Sequence, residues 1–246
     1  MKYFRNFAEL IVSNKILILI FFAITVFMNY IYIYYEKKYI FDQRIVCKAD
    51  VFLLSSNGYF CMLFCIYIML FWLGLCLKEY TINMYIKHGN FAKVWMNHIG
   101  ITIKIAFLYT IILTSACATV SIVLGQENIN FDQKNSIFAL LTNGATEKDI
   151  ILKNVIFIFI IYIFILFLNV GMLFNLINWI GNNYTISLIL SICVIILLQY
   201  SGVTAFFDIS YVKFANSSEW EFLQGIFIFI LLSLIGFVYS KKKEIY

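Results

Sequence analysis

The chain has 246 residues, 63% of them hydrophobic and 13% charged, with a net charge of +5 and a mean hydropathy of +0.91. That charged fraction is about half the average for soluble domains, which excludes an ordinary water-soluble domain. Proline is absent, so only glycine is left to interrupt a helix inside a bilayer.

The first 14 residues place Tyr3, Phe4, Phe7, Leu10 and Ile11 at helical spacing, with Lys2, Arg5, Asn6, Glu9 and Ser13 opposite. That pattern predicts an amphipathic helix lying in the membrane interface; a frayed charged tail is the alternative. The basic start followed by an apolar run is only superficially like a signal peptide. The run is too long, and Tyr30–Tyr35 stands where small residues would mark cleavage. The first helix is therefore expected to be retained.

Six apolar runs follow, at 15–35, 52–77, 99–124, 155–177, 184–207 and 222–240. A spanning helix needs about 20 apolar residues, so each run is predicted to cross the membrane. The chain reads as one all-α transmembrane domain, residues 1–246. The alternating ten-residue strands of a membrane barrel are not present. On a six-span reading the inner segments hold ten Lys and Arg and the outer segments eight, which favours both termini inside. Tyr32, Tyr34, Tyr35, Trp179, Tyr184 and Trp220 at the run ends suit interfacial anchors.

Between the second and third runs, residues 78–98 carry two apolar stripes: Ile82, Tyr85, Ile86, then Phe91, Val94, Trp95. Gly89 suits the end of one helix and Asn90 the cap of the next. Two short helices with a sharp turn are predicted, projecting Lys87, His88 and Lys93. A solvated basic loop that only fixes topology is the alternative. Residues 125–152 read as a turn, a short apolar helix at Phe138–Leu141 and a capped start, Thr146 with Asp149, to the fourth span. The short link 178–183 requires spans four and five to be antiparallel neighbours. The link 208–221 carries Tyr211, Phe214 and Trp220.

No Asp or Glu lies mid-span, so an ion-coupled carrier is disfavoured. His88 and His98 make no protease or metal pattern, and no channel filter signature is present. No Walker A sequence occurs. The six cysteines, Cys47, Cys61, Cys65, Cys76, Cys117 and Cys193, show no metal-like spacing and read as small packing residues. Uncharged polar groups are what the spans do hold: Thr110, Thr114, Ser115, Thr119, Asn169, Asn175, Gln199 and Thr204. Helix packing is their first reading. A translocation surface from Thr110, Thr114, Asn169, Asn175, Gln199 and Thr204 is the second.

The interfacial helix at Tyr3–Ile11, the six runs and the segment Tyr85-Ile-Lys-His-Gly-Asn-Phe-Ala-Lys-Val-Trp95 together resemble the permease subunits of ABC-2-type ATP-binding-cassette exporters. Asn90-Phe91 replaces the commoner Ser-Arg. The resemblance implies a bacterial multi-pass cell-membrane protein, not itself catalytic and holding no cofactor. ATP would be bound by a partner ATPase subunit, and a second permease chain, alike or different, would complete the core. Tyr85, Lys87, Gly89, Phe91, Lys93 and Trp95 would then couple to the ATPase. The cargo implied is a hydrophobic or amphipathic peptide, exported as a toxin or cleared for self-immunity; nucleic acid is not expected. The alternatives are a non-pumping membrane immunity or sensor protein that binds a peptide toxin, and an ion-coupled carrier.

Overall fold

The computed structural model describes residues 15–41, 44–57, 59–88, 90–133, 136–142, 151–181, 183–200 and 219–243. The helices are α1 (Lys15–Tyr35), α2 (Lys48–Asn57), α3 (Tyr59–His88), α4 (Phe91–Leu124), α5 (Ile137–Thr142), α6 (Leu152–Gly181), α7 (Tyr184–Tyr200) and α8 (Glu219–Lys243), with a π-helical turn at Glu36–Ile40 after α1. Among the described residues there is no strand, only an isolated parallel bridge between Ile45 and Ser136. The expected interfacial helix at 1–14 lies outside them.

Among the described residues, four helical stretches are long and apolar enough to cross a membrane: Lys15–Ile40, Phe91–Leu124, Leu152–Gly181 and Phe222–Lys241. Two further apolar helices, Met62–Leu77 and Tyr184–Leu197, are shorter. The reason differs for each. The second predicted run, 52–77, is not one helix: α2 stops at Asn57 and α3 starts at Tyr59, on either side of Gly58. The fifth is described only to Tyr200.

α4 and α6 form the centre. They pack on each other, and each also packs on α2, α3 and α8; α1 is added on α4 and α7 on α6. The core is apolar and aromatic, with Phe52, Phe159, Phe167 and Phe174 fully buried. The outer faces of α1, α7 and α8 are apolar too, with Ile16, Phe27, Ile189, Leu197, Phe227 and Leu234 exposed. In water so broad an apolar surface would drive association; against lipid tails it is the expected finish.

At one end of the bundle the chain is tied by backbone bonds. The Lys48 amide donates to the Glu127 carbonyl (2.8 Å), Ala49 to Asn128 (3.2 Å) and Gln126 back to Val46 (3.1 Å). Asn130 Nδ2 donates to the Ile45 carbonyl (3.0 Å), and Arg44 Nη1 to that of Ser136 (3.3 Å). Residues 125–133 and 136–137 therefore form a cap, closed by α5, which overlaps the short helix expected at Phe138–Leu141.

α2 sits beneath this cap. Its ten residues rise about 15 Å, half a bilayer core, and residues 49–56 are buried on every side. Asp50, expected in an outer link, is fully buried. Its Oδ2 accepts the Cys47 amide at 2.8 Å, the return half of a capping box.

Candidate functional site

The opposite end of the bundle holds the segment that the resemblance singles out. α3 does not stop where its apolar run ends at Leu77 but continues to His88, and α4 begins at Phe91. The expected sharp turn is present, but its arms are extensions of the long helices rather than separate short ones. Asn90 is extended (φ −132°, ψ 112°), and its side chain accepts the Lys93 amide at 2.9 Å. That satisfies one of the four open N–H groups of a helix start. Tyr85 and Lys87 lie in the last turns of α3; their side chains, and Gly89, fall outside the described residues.

The coupling residues that are described divide between surface and core. Lys93 is exposed. Trp95, expected to meet the ATPase, is fully buried. Its Nε1 donates to the Ser233 carbonyl of α8 at 3.0 Å. A methyl at Gly236 would stand 1.9 Å from the indole Cζ2, so only glycine lets α8 approach this close. Phe91 is half-buried and meets Trp179 of α6 edge-on, ring centres 6.1 Å apart. Trp179 also lies 5.8 Å from Trp95 and 5.1 Å from His98. Four aromatic rings thus join the first turns of α4 to the end of α6 and to α8. Trp179, read as an interfacial anchor, is 6% exposed and belongs to this cluster.

The described uncharged polar residues do not converge on one surface. Asn175 Nδ2 donates to Thr102 Oγ1, and Thr102 Oγ1 donates to the His98 carbonyl at 2.8 Å. Asn169 Nδ2 turns to α8 and donates to the Gly225 carbonyl at 3.1 Å. Thr110 Oγ1 bonds within α4 to the Ala106 carbonyl (2.8 Å), and Thr119 Oγ1 to that of Ser115 (2.9 Å). Thr114 Oγ1 is buried without a hydrogen-bond partner. The Gln199 side chain and Thr204 lie outside the described residues. Of the six, Asn169 and Asn175 fasten helices to each other, which is the packing role uncharged polar groups play in membranes.

Two further contacts were not singled out from the sequence. The Tyr184 hydroxyl donates to the Phe71 carbonyl at 3.1 Å, and a methyl at Gly74 would stand 1.7 Å from Tyr184 Cε2. Thr25 and Asn29 of α1 are buried. Each had a legible signal: a glycine inside an apolar helix costs stability unless something approaches it, and polar residues four apart in an apolar run share a face.

Cys47, Cys65, Cys76 and Cys117 are buried and Cys193 is exposed. Burial, reinforced by the neighbouring Asp50 carboxylate, pushes the Cys47 thiol well above the ordinary thiol range. Among the described residues no three His, Cys, Asp or Glu side chains gather as metal ligands would. Fold and site together define a helical bundle of membrane-protein character, with an aromatic clamp at one end and a hydrogen-bonded cap at the other. No protein-family model, curated protein or solved structure matches the chain.

Proposed function

We propose that the chain is the permease subunit of an ATP-driven exporter of the ABC-2 type, in a bacterial cell membrane, with six spans and both termini inside. Two such subunits, alike or different, and a separate ATPase would move a hydrophobic or amphipathic peptide out of the cell or out of the bilayer. The observation that carries this reading is the hairpin of α3 and α4. Its first arm runs 11 residues beyond the apolar run, from Leu77 to His88, a rise of about 17 Å. It returns through the Asn90-capped turn. With Lys78, Lys87, His88 and Lys93 along it, such a hairpin would offer a basic surface to a cytoplasmic partner. Its base is pinned to α8 through Trp95, so displacement of the turn would be delivered to α8 and α6.

Asp50 gives no support to an ion-coupled carrier. Its carboxylate is spent on the Cys47 amide beneath the cap, not set at mid-depth where a coupling ion would bind. The deciding experiment is purification in mild detergent with the product of a neighbouring ATPase gene, followed by peptide efflux from proteoliposomes. The expected result is efflux that requires ATP and survives collapse of the proton gradient. Efflux by this chain alone, driven by a proton gradient, would overturn the proposal.

A further inference from the structure

α1 buries only three of its 21 residues, Thr25, Asn29 and Ile33. Their four-residue spacing makes one stripe, and two of the three are polar. In hydrocarbon, apolar packing on a neighbouring helix gains little over packing on lipid tails, so docking of α1 falls largely to this polar pair. Yet their bonds run along α1 itself. Thr25 Oγ1 donates to the Phe21 carbonyl (2.7 Å), and Asn29 Nδ2 to the Thr25 carbonyl (2.9 Å). Asn29 Oδ1 is buried with no partner.

Across from them on α4, Tyr109 is 4% exposed, and its hydroxyl also has no hydrogen-bond partner. A buried hydroxyl left unpaired is costly. Thr25 and Tyr109, with Cys65 of α3, stand in the wall of one cavity, which offers about 10 Å³ to the centre of a water-sized sphere. One water needs roughly 10–15 Å³ measured this way, and two to four polar partners.

We infer that this cavity is a binding site for a single ordered water that bridges α1 to α4. Tyr109 donates to the water oxygen. The water donates to Thr25 Oγ1, whose own proton is committed to Phe21, and its second proton faces the Cys65 sulfur, a weak acceptor. The bridge supplies the inter-helix bond that the stripe on α1 lacks. It stands whether or not the chain works with an ATPase.

The test is Tyr109→Phe, Thr25→Val and the double variant of the full chain, each heated in detergent and scored by the monodisperse fraction that survives. Both single variants should lower the midpoint temperature by several degrees, and the double variant should fall no further than the worse single, because either change removes the same bridge. If the cavity holds no water, Tyr109→Phe removes an unpaired hydroxyl from apolar walls and the midpoint holds or rises. That result, or strictly additive losses, would overturn the inference. Should a variant fail to fold, an experimental map of the wild-type chain at a resolution that shows waters decides: density in reach of both oxygens supports the site, and its absence refutes it.

Discussion

Replacing Trp95 by alanine tests the clamp most directly. The indole is fully buried, is held by the Ser233 carbonyl and lies against Gly236. Emptying such a site costs about 3–5 kcal/mol. For a chain of this size each kcal/mol moves the midpoint by about 2–4 °C, so a fall of about 6–20 °C is expected. Trp95→Phe keeps a ring and loses the hydrogen bond, itself worth about 0.5–1.5 kcal/mol, and should fall less. Gly236→Ala forces a methyl into the indole, and overpacking of this kind costs about 1–3 kcal/mol. The sharper result is the combination: in a Trp95→Leu background the methyl has room, so Gly236→Ala should cost clearly less than in wild type. The assay is the temperature at which half the protein leaves the monodisperse peak in detergent. A Trp95→Ala chain as heat-resistant as wild type, or additive costs for the pair, would refute the reasoning.

At the neighbouring contact, Tyr184→Phe should cost about 1 kcal/mol, while Gly74→Ala should be deleterious alone and relieved by Tyr184→Ala, read by the same thermal assay. In a variant of the folded protein that keeps Cys47 alone, a membrane-permeant maleimide should spare Cys47 until the chain is unfolded. Because the Cys47 pKa is raised, its thiolate fraction stays low as pH rises through 8–9, the usual range for a thiol, and its labelling should not accelerate there; a rate that climbs like that of an exposed thiol would contradict its burial. Asp50→Ala should cost about 0.5–2 kcal/mol, the usual worth of a helix-start cap, and Asp50→Asn less, because an amide oxygen still accepts from Cys47; equal losses would remove the cap from the account. Cysteines placed at Lys93 and Lys241 should respond alike to an impermeant label, and opposite to one placed at Glu127, since the Trp95–Gly236 contact sets the first two at one end of the bundle; matching labelling of all three would break the assignment of ends.

The long helices were legible because 20-residue apolar runs have few other uses. Their ends were not. Hydropathy marks where lipid stops, not where a helix stops, so the arm from Lys78 to His88 and the start of α6 at Leu152 passed as links. The Asn90 cap was legible, since its chemistry is local. The inward turn of Trp95 was not, because its partner Ser233 is 138 residues away and a tryptophan at a helix start reads equally well as surface. The division of the second run between Asn57 and Tyr59 falls in the same class. The pairing of 46–49 with 126–128 uses backbone groups, which carry no sequence signature.

The half-depth helix α2 also sets a timetable for synthesis. Its walls are α4 and α6, made tens of residues later, and its polar groups Asp50, Ser55 and Ser56 are all buried. An acidic side chain left facing lipid without a partner helix is costly, so α2 gains little by partitioning when it first leaves the ribosome. It must wait at the membrane surface, or beside the insertion machinery, until α4 and then α6 arrive to receive it. The cap can close over it only once residues 125–130 have been made. Nascent chains halted before Leu152 should therefore hold α2 unsheltered and vulnerable to quality-control proteolysis, a vulnerability that ends with the translation of α6.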